Sequence, residues 1–264
     1  MTNAQRTIDL QQGILYGPVR SRRFGLSLGL NILPQEIKVC SFNCRYCQYS
    51  WTGMPATQPA LFERLLPSRT AVREALQNKL ASLRRAGTPP ETLTFSGNGE
   101  ATLHPDFAGI AEDVVALRDS HAPRCRTAIL SNASTAHRPD VREALLRLDD
   151  AVLKLDAGRE ETFLKLNRPA RGVEFGLVVD GLRAMGRNAV LQSLFVKGSL
   201  DNSTDDEVEA WVEVVHSIGP REVQVYTLDR GPADKGLLAV PARRLRTIAA
   251  RVRSRAGVPA KVYD

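Results

Sequence analysis

The stretch Val39–Tyr49, VCSFNCRYCQY, places three cysteines within eight residues. Cys40, Cys44 and Cys47 follow the spacing Cys-x3-Cys-x2-Cys, whereas the fourth cysteine, Cys125, lies far along the chain. This grouping does not suggest a set of disulfides and is typical of metal ligands. A structural zinc site would require a fourth ligand, and no further cysteine is nearby. A 4Fe-4S cluster held by three thiolates keeps one iron without a protein ligand, so the stretch predicts a reactive iron–sulfur site.

Around this motif, apolar runs typical of strands alternate with stretches of helical periodicity. The strand-like runs are Leu26–Leu33, Thr92–Phe95, Thr127–Leu130, Ala151–Leu155, Val190–Val196 and Glu222–Leu228. The helical stretches are Arg69–Arg85, Asp106–Arg118, Pro139–Arg147, Glu160–Leu166, Val173–Met185, Asp205–Ser217 and a last basic helix near Ala242–Arg255. This alternation predicts a parallel sheet with right-handed crossovers, as an open doubly wound sheet or as a barrel or partial barrel. In both architectures, active residues follow the carboxyl ends of the strands.

The composition indicates an ordinary globular chain. It has 264 residues, of which 43% are hydrophobic and 25% are charged, so it falls far from a disordered composition. No apolar run is long enough for a membrane span and the N-terminus lacks the pattern of a secretion signal, so we expect a cytoplasmic protein with no membrane partner. The net charge of +7 leaves two interpretations open, a nucleic-acid partner or an ordinary solvated surface.

Polar residues follow three of the strand-like runs, where the architecture predicts a site. They are Ser96, Gly97, Asn98, Gly99 and Glu100 after the second run, Ser131 and Asn132 after the third, and Lys154 and Asp156 at the end of the fourth. Glycine permits close approach of the backbone to a ligand, and the carboxylate could pair with a cation. Taken one at a time, these residue types are as typical of caps and turns.

Together these residues resemble the radical S-adenosylmethionine (SAM) superfamily. The cysteine spacing with Tyr46 before the last cysteine is similar to its cluster motif, and Gly99-Glu100 is similar to its Gly-Gly-Glu motif, with Asn98 in place of the first glycine. The resemblance implies an α/β fold, a partial (βα)6 barrel, over residues 24–230. Residues 1–23 would form an N-terminal segment and residues 231–264 a C-terminal extension of the same single domain.

The resemblance also implies a chemistry, that of an oxidoreductase or lyase. Cys40, Cys44 and Cys47 would hold a 4Fe-4S cluster, and SAM would chelate the fourth iron. An electron from an external flavodoxin-like or ferredoxin-like donor would cleave SAM to a 5′-deoxyadenosyl radical that abstracts hydrogen from the substrate. The implied SAM contacts are Glu100 for the ammonium group, Tyr46 for the adenine, Ser131, Asn132 and Asp156 for the ribose, Lys154 for the carboxylate, and the backbone of Gly97, Asn98 and Gly99.

Within the superfamily, the strings GPVRSRRFG at 17–25 and SGNGEATLHP at 96–105 resemble the branch of the wyosine-base synthases, which modify tRNA. Those enzymes bind a second cluster through further N-terminal cysteines, but no cysteine precedes Cys40 here. We therefore expect one cluster and a likeness to short bacterial relatives. The substrate is expected to be RNA or a nucleotide; the alternatives are a small metabolite or peptide, and a non-enzymatic iron–sulfur redox protein.

Six further residues are weaker candidates. Arg20, Arg22 and Arg23 could bind a substrate phosphate bidentately, or could pair with local carboxylates. Lys154 and Lys197 could form a Schiff base if burial lowered the pKa of either amine, although a carboxylate or phosphate contact is the favoured role. Cys125 could donate hydrogen to a substrate radical, but is more typical of a half-buried thiol.

Overall fold

The computed structural model describes residues 7–53, 55–57 and 59–263. The strands, numbered along the chain, are β1 (Leu15–Ser21), β2 (Gly25–Leu30), β3 (Thr92–Phe95), β4 (Arg126–Ser131), β5 (Asp150–Lys154), β6 (Ala189–Leu194), β7 (Val196–Gly198), β8 (Glu222–Tyr226), β9 (Leu237–Ala239) and β10 (Ala260–Tyr263). The helices are α1 (Arg69–Arg85), α2 (Phe107–His121), α3 (Pro139–Leu146), α4 (Glu160–Asn167), α5 (Phe175–Met185), α6 (Asp205–Ile218) and α7 (Ala242–Arg251). Three 3-10 segments, Pro59–Leu65, Ala101–Leu103 and Gly186–Asn188, and a π-helical turn, Val252–Ala256, complete the described elements.

Eight of the described strands form one sheet in the order β1-β2-β3-β4-β5-β6-β8-β10. Every neighbouring pair from β2 to β10 is parallel, and β1 pairs antiparallel with β2 at the edge. Because the parallel strands follow one another in chain order, with helices between them, the sheet is that of a partial (βα)6 barrel. The predicted α/β class and mostly parallel sheet are confirmed.

Local sequence signals placed the central elements well. Strand β3 has the predicted bounds, and so does α1, whose N-cap Ser68 accepts a hydrogen bond from the Ala71 amide at 3.2 Å. Val72, Leu76 and Leu80 are the buried residues of that helix. These elements form where the periodicity predicts them, because each buries one apolar face against the sheet or a neighbouring helix.

Some predicted elements end at other residues than expected, and two strands of the main sheet were not predicted. The predicted strand Val190–Val196 ends at Leu194, and Val196–Gly198 pairs with β9 in a separate two-stranded sheet. The predicted final helix ends at Arg251 and continues as the π-helical turn. Strands β1 and β10 were not predicted; β1 contains Pro18, which is tolerated because the strand is at an edge and has a register shift there.

The N-terminal and C-terminal regions each contribute a strand to the main sheet, β1 and β10. Residues 1–6 of the predicted N-terminal segment and residue 264 of the predicted C-terminal extension lie outside the described residues. None of the described helices has the length and apolar character needed to cross a membrane.

The two faces of the parallel strands differ in chemistry. Alternate residues that are buried in the core with the helices are apolar: Leu28, Leu30, Leu93, Phe95, Ile129, Leu153, Leu191, Val223 and Val225. The residues between them face the barrel interior and are mostly polar: Ser27, Thr94, Lys154, Gln192, Gln224 and Tyr226. Contacts such as Ser27 with Thr94, 2.8 Å between their hydroxyl oxygens, join neighbouring strands across this interior face. A polar interior is suited to a bound polar molecule.

Candidate active site

The cysteine loop follows β2 and packs against the glycine motif that follows β3. The Val39 amide donates to the Asn98 carbonyl at 2.9 Å, and the Glu100 amide donates to the Val39 carbonyl at 2.9 Å. Gly99 lies between them with φ of +139°, and a Cβ atom there would lie 1.7 Å from the Val39 carbonyl oxygen. Only glycine fits this contact without moving the backbone. Gly99 therefore lets the cysteine loop pack directly against the glycine–glutamate motif that follows β3.

A second support for the cysteine loop comes from the end of α4 and the turn that follows it. The Arg45 amide donates to the Leu166 carbonyl and the Asn43 amide to the Asn167 carbonyl, both at 3.0 Å. The Ala170 amide returns a hydrogen bond of 2.7 Å to the Ser41 carbonyl. This turn was not predicted to belong to the site, because nothing in its local sequence relates it to residues more than 120 positions earlier.

Each of the three loop thiols has one nitrogen donor beside it. The pairs are Cys40 Sγ with Asn132 Nδ2 at 3.6 Å, Cys44 Sγ with Asn167 Nδ2 at 3.5 Å, and Cys47 Sγ with Lys38 Nζ at 3.0 Å. All three cysteines are free. Burial raises the pKa of the Cys44 thiol to about 11 and also raises the pKa of Cys40. Donors of this kind stabilise thiolates that burial would otherwise disfavour, so the loop is suited to hold a group that binds sulfur anions.

The carboxylate of Glu100 is 1% exposed and is held by protein donors. Oε1 accepts hydrogen bonds from the Thr102 amide, the Thr102 hydroxyl and the Ser131 hydroxyl at 3.2, 2.7 and 2.8 Å. Oε2 accepts from the Asn132 amide at 2.6 Å. Burial raises the pKa of this carboxyl group, and the hydrogen bonds oppose that effect. Three predicted site residues, Glu100, Ser131 and Asn132, are thus in direct contact, and Oε2 retains capacity for a further donor.

Asn98 and Gly97 make protein contacts that explain their residue types. The side chain of Asn98 is buried, and its Oδ1 accepts a hydrogen bond from the Gln11 backbone amide at 2.7 Å. Its Nδ2 donates to the backbone carbonyls of Gln11 at 3.0 Å and Pro34 at 2.8 Å. A Cβ at Gly97 would lie 2.6 Å from Asn31 Oδ1. Asparagine at this position of the motif therefore ties the N-terminal segment to the site. The expected contact of these backbones with a ligand stays a prediction.

A buried polar cluster connects the cysteine loop to β5. The Tyr46 hydroxyl donates to Asp156 Oδ2, and Asn167 Nδ2 lies 3.0 Å from the Tyr46 oxygen and 2.8 Å from Asp156 Oδ2. The other carboxylate oxygen of Asp156 accepts from the Leu194 amide at 2.8 Å. Asn167 Oδ1 is buried and has no hydrogen-bond partner among the described residues. A hydrogen-bond donor of a ligand could pair with this oxygen. Asn167 was not predicted as a site residue.

Lys154 borders the same cluster from inside the barrel. Its Nζ donates to the Tyr226 hydroxyl at 2.7 Å, is 3.6 Å from Asp156 Oδ1 and lies 4.9 Å from the centre of the Tyr46 ring. Burial alone would lower the pKa of Lys154, but the charge of Asp156 and the interactions with Tyr226 and Cys44 together outweigh it and raise the pKa. The carboxylate beside this amine is that of Asp156, and the roles expected for Lys154 toward a ligand stay predictions.

The remaining predicted residues lie apart from this cluster. Lys197 is on β7, in the two-stranded sheet. Cys125 is buried just before β4, at the opposite end of the strands from the cysteine loop, and burial raises the pKa of its thiol to about 11. Arg20 is exposed on β1, Arg22 pairs with Asp229 at 3.0 Å, and Arg23 lies partly buried at the start of β2. The three arginines therefore have different surroundings, and their binding of a substrate phosphate stays a prediction.

A mostly parallel partial barrel with a three-cysteine loop beside a glycine–glutamate motif at its carboxyl end defines a class of cofactor-dependent enzymes. The profile of the Radical SAM superfamily matches residues 37–215, more than half of the chain. The chain belongs to the Radical SAM superfamily, so the predicted superfamily is confirmed. Membership indicates an enzyme.

Several proteins are similar in sequence. A UPF0026 protein of Synechocystis is 30% identical over 212 residues, which cover 80% of this chain and 74% of that protein. A UPF0026 protein of Methanocaldococcus jannaschii is 28% identical over 225 residues, 84% of this chain and 65% of that protein. A protein of Brachyspira hyodysenteriae described as GTPase Obg is 29% identical over 219 residues, 82% of this chain and 30% of that protein. The chain thus spans less than two thirds of the length of the last two relatives.

Solved structures share the fold at low sequence identity. A radical SAM methyltransferase from Sphaerobacter thermophilus has a TM-score of 0.65 at 15% identity, covering 90% of this chain and 65% of that chain. Streptococcus suis SuiB bound to S-adenosylmethionine has a TM-score of 0.58 at 13% identity, covering 89% of this chain and 50% of that chain. At these identities the likeness shows the fold alone.

Proposed function

We propose that this protein holds a 4Fe-4S cluster through Cys40, Cys44 and Cys47 and uses it to cleave S-adenosylmethionine reductively. The observation that carries the proposal is the cysteine loop itself, in which each sulfur has its own nitrogen donor and the backbone is fixed against Gly99. Cysteine thiolates are the ligands of such clusters, and donors to the sulfurs tune them. When bound, the two cofactors would supply a 5′-deoxyadenosyl radical that abstracts hydrogen from the substrate.

The protein's own groups would bind and orient SAM beside this loop. Glu100 Oε2 accepts one hydrogen bond from the protein, so it can accept another from the ammonium group. Ser131 and Asn132 hold that carboxylate in place, and so act as positioning residues for it. The free oxygen of Asn167 and the Tyr46–Asp156 pair offer acceptors for the ribose and adenine. Lys154, held protonated, would face the carboxylate of SAM or of the substrate.

For the substrate, we propose RNA or a nucleotide, supported by the strings at 17–25 and 96–105 that resemble the tRNA-modifying branch. A peptide or small metabolite is the second candidate; one solved structure of SuiB, a protein of the same fold, is of its complex with a precursor peptide. A non-enzymatic redox protein would also use the three cysteines, and formation of 5′-deoxyadenosine separates it from both. The four free cysteines suit the reducing conditions of the cytoplasm.

An external electron donor of the flavodoxin or ferredoxin type would need access to the cysteine loop. Trp51, 39% exposed, lies just beyond the loop and stacks with Arg168, 5.0 Å from guanidinium carbon to ring centre. An exposed aromatic ring with a cation over it is suited to an acidic partner. We propose that the donor docks on this surface.

The test is anaerobic reconstitution with iron and sulfide, followed by reaction with SAM and dithionite. Wild-type protein should hold about four iron atoms per chain, as one 4Fe-4S cluster contains, and should form 5′-deoxyadenosine. The Cys44→Ala variant should lose most of the iron and all of the product, whereas the control Cys125→Ala should retain both. Full iron content in Cys44→Ala, or zinc alone in the wild type, would refute the proposal.

A further inference from the structure

A cavity lies at the opposite end of the barrel from the cysteine loop. It has a volume of about 430 Å³ and is lined at the amino ends of β4, β5, β8 and β10. Its charged lining residues are Arg23, Arg126, Asp150, Arg221, Glu222 and Lys261. A cavity of this size fits a small molecule or the end of a larger one, and its lining identifies the chemistry that it can bind.

The charges around this amino-end cavity do not balance. Four cationic side chains face two carboxylates, a difference of +2. Arg126 and Arg221 both pair with the single carboxylate of Asp150, and Lys261 pairs with Glu222 at 2.6 Å. The amino-end cavity therefore has a positive excess that its own ion pairs leave uncompensated, and this excess favours an anion.

Arg23 is the cation that these pairs leave out. Its guanidinium carbon lies 5.2 Å from the centre of the Tyr226 ring and 5.7 Å from that of Tyr263. Nη1 donates to Gln224 Oε1 at 3.4 Å, and the side-chain oxygen of Gln192 accepts from Nη1 and from Nη2, the latter at 3.1 Å. No carboxylate among the described residues forms an ion pair with it. Two rings and two neutral amides fix its direction and do not neutralise its charge, as in a preorganised site for an oxyanion.

We propose that the amino-end cavity binds the phosphate group of a small phosphorylated molecule, with Arg23 as its principal ligand. The planar guanidinium of Arg23 can form two parallel hydrogen bonds to a phosphate. Because Arg126 and Arg221 share the single carboxylate of Asp150, both can form further contacts with the phosphate at the opening of the cavity. Tyr226 contacts Arg23 with its ring and Lys154 with its hydroxyl, so the site adjoins the polar interior that leads to the cysteine loop. The inference rests on the proposed function only where it takes the bound molecule to be the substrate.

Binding of uridine 5′-monophosphate to the full chain, measured by isothermal titration calorimetry at low salt, tests the assignment. Uridine is the matched probe without phosphate, and neither probe carries the adenine that a SAM site would recognise. We expect the monophosphate to bind and uridine not to bind. The Arg23→Gln variant should bind the monophosphate about tenfold more weakly, as expected for loss of charge-assisted hydrogen bonds. The control Arg22→Gln, an exposed arginine already paired with Asp229, should change the affinity less than about twofold.

Further arms separate the alternatives. Arg23→Lys keeps the charge and should recover part of the affinity, which excludes misfolding as the cause. Binding should persist in Cys44→Ala, because the cavity lies at the other end of the barrel, so a failure of the cluster proposal would not affect this result. The assignment is wrong if uridine binds as tightly as its monophosphate, if both arginine variants weaken binding equally, or if an RNA oligonucleotide without a terminal phosphate binds while the monophosphate does not.

Discussion

The two ends of the barrel are built on different physical principles. At the carboxyl end, the cysteine loop is fixed by backbone contacts, such as those of Val39 with Asn98 and Glu100, and by buried hydrogen bonds around Asp156. At the amino end, ion pairs predominate, and their arginines and lysine are more exposed: 56% for the Arg126 side chain and 64% for Lys261. Exposed ion pairs contribute little to the free energy of unfolding, whereas substitution of a residue in a tightly packed, buried contact is destabilising.

This difference shows which end demands an exact geometry. A group held by three thiols requires the loop to have one conformation, and backbone contacts supply that. A site for a soluble anion requires mainly a positive potential and one oriented donor, and loosely held ion pairs around Arg23 supply those. Substitutions should therefore have large effects at the carboxyl end and small, salt-sensitive effects on stability at the amino end.

The largest effect is expected for Gly99→Ala. The added methyl group would lie 1.7 Å from the Val39 carbonyl oxygen, at a backbone φ of +139°. The backbone of the cysteine loop would have to move, at a cost in the free energy of unfolding of at least about 3 kcal/mol. Iron content after anaerobic reconstitution and urea unfolding measure the two consequences. Gly53→Ala is the matched control near the same loop, because no atom of the described residues lies within 4 Å of its Cβ position. Equal losses in both variants would contradict the role given to Gly99.

A smaller loss at the same end is expected for Asn167→Ala. This substitution removes the nitrogen that lies beside Cys44 Sγ, the Tyr46 hydroxyl and Asp156 Oδ2. We expect the free energy of unfolding to fall by about 2 kcal/mol, because buried acceptors lose a donor. The control is Asn188→Ala, an exposed asparagine that donates to the Met185 carbonyl, for which we expect less than about 1 kcal/mol. Chemical unfolding of both variants measures the two losses. Equal losses in the free energy of unfolding would contradict the role given to Asn167.

The sequence predicted what depends on local pattern. Alternating and helical periodicity located β3 and α1 with their observed bounds. The spacing of the cysteines predicted a cluster site in their loop, and that site stays a prediction. In each case, the residues that determine the structure are neighbours in the chain. The superfamily resemblance rests on the same short strings and was confirmed by the match to residues 37–215.

What could not be predicted depends on contacts between distant residues. The strand β10 has four residues, and it exists because it pairs with β8, whose register places Ala260 beside Val223. Asn167 reaches Cys44 across 123 positions, and no local signal relates the two. Lys38 lies only two residues before Cys40, so the sequence did contain a signal from which a cation beside the cysteine thiols could have been predicted.

The smallest effect is expected at the amino end, where Asp149 precedes β5. Partial burial alone would raise the pKa of its carboxyl group, but hydrogen bonds from the Thr127 amide at 2.7 Å and from Arg118 at 2.7 Å outweigh it and lower the pKa. A carboxyl group with a lowered pKa in the folded state stabilises the protein above its unfolded pKa of about 3.9, and this stabilisation is lost as the pH falls through the folded-state value.

Urea unfolding of wild-type protein and of Asp149→Asn, followed from about pH 7 down to about pH 3, should therefore show a difference in free energy that shrinks on acidification. Asp119→Asn is the control, because Asp119 pairs with the same Arg118 and its side chain is 64% exposed; we expect its stability to stay near that of the wild type at every pH. A difference for Asp149→Asn that stayed constant with pH would mean that its hydrogen bonds do not need the carboxylate's charge. The ion pairs of the amino end would then contribute to stability through their hydrogen bonds and not through their charge.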